Sequence, residues 1–260
     1  MIAETFLEQF AQMSAELKLP FSADDMKSYM IDRSTQLEEL DSIHGFLDAM
    51  VKKKRATAIA TLKKLSRIPQ KSPSTFGNFD MERLCSEARR QINSLKALPF
   101  ISAKRNVIMI GPTGTGKTHL AMAIGNQCCE NNMKAYFIKM DELKEKFHAA
   151  ILAERQGKYL NGLSKYSCLI IDEIGYCHFD KAETLMFFQL IDRINLKESG
   201  SIVLTSNKDT STWQDLFEED DALECSMDRI CDTAICLTFS GCSYRGKGRE
   251  RINLDFQKLR

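Results

Sequence analysis

Eight consecutive residues constrain the fold of this 260-residue chain more than any other feature of its sequence. They read Gly-Pro-Thr-Gly-Thr-Gly-Lys-Thr and occupy positions 111–118, after four apolar residues and before a stretch that favours a helix. A glycine-rich turn between a strand and a helix directs backbone N–H groups and the helix N-terminus at a phosphate group. This pattern predicts an α/β fold with a phosphate-binding loop, and a chance glycine-rich turn is the alternative.

All eight residues of the loop are candidates for binding the phosphates of a nucleotide. They are Gly111, Pro112, Thr113, Gly114, Thr115, Gly116, Lys117 and Thr118. The glycines allow the backbone to curl around the phosphates. We expect the Lys117 ammonium to reach the β- and γ-phosphates, and the Thr118 hydroxyl to join the ligands of a Mg²⁺ ion.

Polar residues follow two later apolar runs, at the strand ends where open α/β sheets bind their ligands. Asp172 and Glu173 follow the run at 168–171, and Asn207 follows the run at 202–205. We predict that Asp172 holds Mg²⁺, that Glu173 is the general base for an attacking water, and that Asn207 orients this water. The alternatives are solvated acids at a strand end and an ordinary turn.

Five short apolar runs alternate with stretches of helical length in the second part of the chain. The runs lie at 107–110, 135–138, 168–171, 202–205 and 234–237. Continuous apolar strands are typical of sheets that are covered on both faces. Their alternation with helices therefore predicts a parallel sheet flanked by helices.

The first seventy residues differ in charge pattern from the rest of the chain. Residues 1–51 contain ten acids and three bases, whereas residues 52–71 contain eight bases and no acid. Apolar residues recur at helical spacing through both parts, and Pro69 and Pro73 then mark a linker. We therefore expect a small all-helical domain at 1–70 and a sheet-containing domain at 71–260.

The basic stretch is the best candidate for a contact with DNA. Its cations can follow a phosphate backbone without reading the base sequence. The candidate residues are Lys53, Lys54, Lys63, Lys64 and Arg67. The alternative is a solvated helix face whose bases pair with the acidic residues that precede them.

Composition excludes several other classes of protein. A formal net charge of +1 does not indicate binding of nucleic acid through overall charge. The nine cysteines show no C-x-x-C spacing, which argues for reduced thiols and against a zinc site. No apolar run approaches the about 18 residues that a membrane span needs, and the first residues lack the pattern of a signal peptide. We therefore expect a soluble cytoplasmic protein that contacts no membrane.

Several motifs in a fixed order resemble those of a known family. The loop at 111–118 is followed by Ile-Asp-Glu-Ile-Gly-Tyr at 171–176, Thr-Ser-Asn at 205–207, Asp-Arg-Ile at 228–230 and Ser-Tyr-Arg at 243–245. Phe-x-x-Phe-Asp at 76–80 precedes them. Together they resemble the IstB/DnaC family of AAA+ ATPases. The resemblance implies a P-loop NTPase fold of the AAA+ type, ATP and Mg²⁺ as cofactors, and hydrolysis of ATP.

The resemblance also implies roles for single residues. The loop matches the Walker A motif of the family, Asp172 and Glu173 match its Walker B motif, and Asn207 matches its sensor 1. Arg229 matches the arginine finger, which acts on the nucleotide of a neighbouring subunit; an arginine salt-bridged to its many acidic neighbours is the alternative. Arg245 resembles a residue that senses nucleotide from the C-terminal side.

What the family does sets the functional expectation. Its members form ring or helical homo-oligomers with ATP between subunits, and IstB-like members bind duplex DNA and stimulate a transposase. The resemblance thus implies a DNA-bound ATPase that assists a transposase and is slow on its own. A replicative helicase loader is the alternative, and a small-molecule phosphotransferase is disfavoured because no arginine-rich lid insertion is visible. The short tail after Tyr244 leaves no room for a full lid domain.

Overall fold

Amphipathic segments at the start of the chain form three helices. In the computed structural model these are α1 (Ile2–Leu17), α2 (Ala23–Arg33) and α3 (Leu37–Leu65). One helix, α3, contains both of the helical patterns found in the sequence around residues 40–51 and 56–63. A small apolar core joins the three helices, and its buried residues are Phe6, Phe10, Met26, Leu40 and Leu47.

The chain divides into two compact units, which are described separately. The described residues are 2–33, 37–82, 86–196, 200–218, 230–231 and 234–239. The units are Met1–Thr61 and Leu62–Arg260, so their division lies within α3. The domain boundary expected near residue 70 stays a prediction.

Five strands form the sheet of the second unit. They are β1 (Val107–Ile110), β2 (Ala135–Lys139), β3 (Cys168–Ile174), β4 (Ser201–Ser206) and β5 (Ile235–Thr238). All four neighbouring pairs are parallel, in the order β2-β3-β4-β1-β5. The parallel sheet predicted from the apolar runs is confirmed. This order places β3, β4 and β1 side by side, so that their carboxyl ends meet at one edge.

Helices cover both faces of this sheet. They are α4 (Ser86–Leu95), α5 (Pro99–Ser102), α6 (Lys117–Glu130), α7 (Met140–Leu152), α8 (Gln156–Leu163) and α9 (Lys181–Leu196). Alternate residues of a strand face opposite sides, and Ile108 accordingly joins a core with α7, α8 and α9. Met109 joins a second core with α4, α5 and α6. Within the part of the chain that the structure describes, no helix is long and apolar enough to cross a membrane.

The segment expected to be a linker is packed against the sheet unit. Pro69 and Pro73 lie outside α3, as expected of residues that cannot continue a helix. Ile68, Phe76 and Phe79 are nevertheless buried in the core beside α6. The sequence suggested a spacer because its prolines and serines are turn residues, but the three apolar side chains gain more by leaving water.

Candidate functional site

The predicted phosphate-binding loop connects β1 to α6. Gly111, Gly114 and Gly116 have φ angles of 148°, 83° and 97°, which residues with a side chain rarely adopt. A Cβ atom at Gly111 would lie 2.2 Å from the carbonyl oxygen of Phe239. Helix α6 begins at Lys117, so the loop presents a helix N-terminus to the adjacent cleft. The loop therefore has the backbone shape that an anion site requires.

Lys117 is buried under this loop with its ammonium group on backbone carbonyls. The Nζ atom donates to the carbonyl oxygens of Gly111 at 2.6 Å and of Pro112 at 2.8 Å. The residue is 8% exposed and lines the cleft. A phosphate oxygen is a stronger acceptor for an ammonium group than a neutral carbonyl. The position of Lys117 thus suits the predicted contact with phosphate.

Asp172 is fully buried next to the loop, and one of its oxygens has no partner. Its Oδ1 accepts hydrogen bonds from Thr118 Oγ1 at 3.0 Å and from Thr205 Oγ1 at 2.5 Å. Its Oδ2 is buried without a hydrogen-bond partner among the described residues. Burial raises the pKa of Asp172, while the hydrogen bonds from Thr205 and Thr118 act to lower it.

This arrangement fits a Mg²⁺ ion. A buried carboxylate oxygen without a partner is costly, and a hard cation that prefers oxygen ligands removes that cost. The Thr118 hydroxyl, in contact with Asp172, supplies a second oxygen of the kind that Mg²⁺ takes. Thr205 supports the carboxylate from β4, a role that sequence analysis did not assign to it.

Glu173 lies at an irregularity in β3. Its φ of 63° is in the left-handed region, and the register of β3 against β4 shifts between Ile171 and Ile174. Its backbone N–H donates to Thr205 Oγ1 at 3.1 Å. The side chain is 39% exposed, and its Oε2 atom pairs with Lys139 Nζ at 2.6 Å. The carboxylate is therefore open to water at the cleft, but a lysine at the end of β2 already holds it.

Asn207 follows the end of β4 and lines the same cleft as Glu173. Its Nδ2 atom donates to the hydroxyl of Tyr176 at 3.0 Å. Tyr176 comes shortly after β3 and also lines the cleft. The same cleft is thus lined by four of the predicted site residues, namely Lys117, Thr118, Glu173 and Asn207. Lys117 is predicted to bind phosphate, Thr118 to bind Mg²⁺, Glu173 to act as the general base and Asn207 to orient the water.

Ser206 fastens the ends of β3 and β4 to each other. Its hydroxyl donates to the carbonyl oxygen of Ile174 at 2.8 Å. The same hydroxyl accepts from Nε1 of the buried Trp213 at 3.2 Å. These bonds fix the backbone on which Glu173 and Asn207 sit.

One wall of the cleft was not predicted from the sequence. Asn78, Phe79 and Asp80 line the cleft together with the loop and the strand ends, and the cleft has a volume of about 340 Å³. His119 Nε2 lies 2.9 Å from Asn78 Oδ1, and its ring centroid lies 5.6 Å from that of Phe79. The Phe-x-x-Phe-Asp pattern at 76–80 was the available signal, but nothing in it indicated proximity to the loop.

Comparison with known proteins identifies the family of this chain. The family described as IstB-like ATP binding protein matches residues 13–252. That match covers most of the chain. The chain belongs to this family.

Relatives of the IstB-like chain carry names from insertion sequences. A protein of insertion sequence IS5376 from Geobacillus stearothermophilus, named as an ATP-binding protein, is 32% identical over 96% of this chain and 98% of its own length. A protein of insertion sequence IS232 from Bacillus thuringiensis subsp. berliner, named likewise, is 36% identical over 65% of this chain and 67% of its own. The predicted relationship to IstB is confirmed.

Solved structures show the fold of the IstB-like chain. DnaA from Aquifex aeolicus, bound to AMPPCP, aligns with a TM-score of 0.56 and 18% identity over 67% of this chain. The alignment covers 51% of the DnaA chain, about half of it. DnaI aligns with a TM-score of 0.52 and 18% identity over 66% of this chain and 90% of its own. The predicted AAA+ P-loop fold is confirmed.

Two arginines predicted for the IstB-like site lie outside the described residues. These are Arg229, the predicted arginine finger, and Arg245, the predicted nucleotide sensor. The tail that was expected to leave no room for a lid domain also lies outside them. All three stay predictions.

Two of the five cations predicted to contact DNA are engaged in ion pairs within the second unit. Lys63 Nζ lies 2.8 Å from Glu130 Oε1. Arg67 Nη1 lies 2.5 Å from Glu142 Oε1 and donates to the Tyr136 hydroxyl at 3.2 Å. These contacts join the end of α3 and the residues after it to α6, α7 and β2, which gives both cations a structural role.

The other three predicted DNA contacts are exposed lysines of α3. Lys54 Nζ donates to the carbonyl oxygen of Glu16, and the neighbouring Arg55 binds the Glu16 carboxylate with two hydrogen bonds of 2.6 Å. Lys53 and Lys64 are exposed, and no ion pair of either is found in the described part of the chain. The ammonium groups of Lys53 and Lys64 are therefore accessible for a contact with an external anion such as a DNA phosphate.

Proposed function

We propose that this IstB-like protein hydrolyses ATP with Mg²⁺, assembles on duplex DNA and assists a transposase. The observation that carries the ATPase proposal is the buried Oδ2 of Asp172, which lacks a hydrogen-bond partner among the described residues and lies beside the phosphate-binding loop. A site for neutral ligands has no use for a buried carboxylate next to a loop built for anions. Asp172 and Thr118 would hold a divalent cation, which would satisfy the carboxylate and offset the negative charge of a bound phosphate.

The proposed chemistry is attack of water on the γ-phosphate. Mg²⁺, when bound, supplies the positive charge that neutralises the phosphate oxygens. Lys117 leaves its two backbone carbonyls and holds the phosphates, because their charged oxygens are better acceptors. Glu173 releases Lys139 and takes a proton from the water. Asn207 orients that water from the end of β4.

We further propose that the active form is a ring or helical homo-oligomer with ATP between subunits. Arg229 of one subunit then stabilises the charge that develops on the nucleotide of the next, and Arg245 senses the nucleotide from the C-terminal side. A finger supplied by a neighbouring subunit is worth about 10³–10⁵ in rate. The isolated subunit should accordingly be slow.

The proposed partners are duplex DNA and a transposase. The insertion-sequence names of the relatives support the transposase. The exposed Lys53, Lys54 and Lys64 support a contact with a phosphate backbone, since such contacts need accessible cations and no base recognition.

A replicative helicase loader is the second candidate function. The crystal structure of the DnaC helicase loader aligns with a TM-score of 0.50 and 15% identity over 59% of this chain and 89% of its own. This likeness supports a shared ATPase fold, whereas the relatives above 30% identity carry insertion-sequence names. The transposition helper is therefore the better supported proposal.

Assembly on DNA distinguishes the two functions. The experiment measures particle mass by light scattering of the full chain carrying Glu173→Gln, with ATP, Mg²⁺ and either duplex or single-stranded DNA. The transposition proposal predicts large assemblies with duplex DNA and ATP together, and none with ADP. Assembly on single strands only, or no assembly on duplex DNA, would favour the helicase loader.

Charge reversal tests where the DNA binds. Changing Lys53, Lys54 and Lys64 to Glu should weaken duplex binding and reduce the slope of log affinity against log salt by about 2.7, if each lysine neutralises one phosphate. The control variant reverses three other exposed lysines, at positions 27, 134 and 165, and so has the same net charge. An unchanged slope, or an equal change in the control, would contradict contact through α3.

A further inference from the structure

We propose that Tyr176 is a positioning residue, whose hydroxyl orients the Asn207 carboxamide for ATP hydrolysis. The inference rests on the ATPase function proposed above. It gives a role to Tyr176, an exposed residue that takes no part in the phosphate-binding loop or in the proposed Mg²⁺ site.

The contact itself is specific. Asn207 Nδ2 donates to the Tyr176 hydroxyl at 3.0 Å, and both residues line the nucleotide cleft. Tyr176 is 60% exposed, so its ring contributes little to the apolar core. Burial of the ring therefore does little to hold the side chain in this position. The interaction that the position does allow is the hydrogen bond with Asn207.

The turn that carries Tyr176 includes a glycine next to the Asn207 side chain. Gly175 has a φ of 118°, and a Cβ atom there would lie 3.5 Å from Asn207 Oδ1 and 3.1 Å from the side chain of Lys208. A side chain at position 175 would therefore touch the Asn207 oxygen, whereas glycine leaves this space open and Tyr176 contacts the nitrogen. Rotation of the amide would break the hydrogen bond to Tyr176.

The same turn begins at the predicted general base. Glu173 and Tyr176 are three residues apart, and the intervening Ile174 is fixed to β4 by its bond from Ser206. The Tyr176 hydroxyl therefore sets the orientation of the Asn207 amide relative to the Glu173 carboxylate. A water between the Asn207 amide and the Glu173 carboxylate would then be held at fixed distances from both groups. Such fixed positioning accelerates a reaction.

Loss of the hydroxyl should act on turnover and not on nucleotide binding. In the proposed function the loop and Asp172 would hold phosphate and Mg²⁺. No hydrogen bond found among the described residues joins Tyr176 to either of them. Without its partner, the amide is correctly oriented for a smaller fraction of the time. One neutral hydrogen bond of this kind corresponds to a decrease in kcat of about 3- to 10-fold.

The experiment is a double-mutant cycle measured on the full chain with ATP, Mg²⁺ and duplex DNA. We compare Tyr176→Phe, Asn207→Ala and the double variant, and we record kcat, KM and the thermal midpoint from fluorescence of Trp213, the single tryptophan. Tyr29→Phe is the control, since it removes another partly exposed hydroxyl in the N-terminal unit. The proposal predicts a lower kcat for Tyr176→Phe with unchanged KM and midpoint, and no further loss when it is added to Asn207→Ala.

Three outcomes would overturn the inference. A kcat at or above the wild-type value would show that the hydroxyl does not assist Asn207. A further loss in the Asn207→Ala background would show that Tyr176 acts independently of Asn207. A lowered thermal midpoint together with a raised KM would show a structural role. Absence of ATP hydrolysis in the wild type would instead refute the proposed function, and this inference with it.

Discussion

Thr205 offers a sharp test of how the site is built, because its hydroxyl contacts both predicted Walker B residues, Asp172 through its carboxylate and Glu173 through its backbone. It donates to Asp172 Oδ1 at 2.5 Å and accepts from the backbone N–H of Glu173 at 3.1 Å. The residue is 1% exposed, so water cannot replace either bond. Thr205→Val keeps the shape of the side chain and removes both interactions.

The expected cost follows from these two bonds. A hydrogen bond to a charged group contributes about 1.5–3 kcal/mol, and a partly buried N–H left without a partner costs about 1 kcal/mol. Thr205→Val should therefore lower the free energy of unfolding of the second unit by about 3 kcal/mol, or its midpoint by about 6–12 °C. Thr205→Ser keeps the hydroxyl and loses one buried methyl group, which costs about 1 kcal/mol.

Trp213 fluorescence in urea at pH 7.5 is the assay. The single tryptophan is buried next to β4 and bonded to Ser206, so it reports unfolding of the second unit alone. The prediction is that the valine variant unfolds at clearly lower urea than the serine variant, with an unchanged dependence on urea. Equal midpoints for the two variants would refute the view that the hydroxyl supports the site.

Two further predictions concern ion pairs of the second unit. Lys139→Met frees the Glu173 carboxylate from a half-exposed pair and should raise kcat by about two- to fivefold in an ATPase assay; a lower kcat would show that Lys139 assists the base. Burial acts to raise the pKa of Glu142, but hydrogen bonds from Arg67 and Lys146 outweigh it and hold the pKa below its usual value. The stabilisation is therefore complete above the ordinary pKa of about 4.3 and is lost as pH falls through the lowered value. Glu142→Gln should thus cost about 0.5 kcal/mol in urea unfolding at pH 7 and less as the pH approaches 3; an equal cost at both would contradict the pairing.

The parts of the site that the sequence predicts are those written in one continuous segment. A glycine-rich loop between an apolar strand and a helix is typical of phosphate binding, so residues 111–118 are enough to predict the shape of the loop. The carboxylates that end a buried strand are equally local. The parallel sheet follows from the same reasoning, since apolar runs without alternation are typical of strands covered on both faces.

The parts that the sequence does not predict depend on which strands are neighbours. Thr205 meets Asp172 because β4 lies beside β3, and Lys139 meets Glu173 because β2 lies on the other side. Neither contact can be predicted from the residues that surround these positions in the sequence. The position of Phe79 at the cleft could not be predicted either. It depends on the burial of Ile68 and Phe76, which packs the proline-containing stretch against the sheet unit.

We propose above all that Asp172 and Glu173 allow the phosphate-binding loop to work as part of an ATPase. The most direct measurement is phosphate release from ATP by the full chain with Mg²⁺ and duplex DNA, in parallel with ATP affinity, for the wild type and Glu173→Gln. For Glu173→Gln we expect an unchanged affinity for ATP and a turnover lower by about 10²–10⁴, the contribution of a general base. Turnover by Glu173→Gln at the wild-type rate would contradict this proposal.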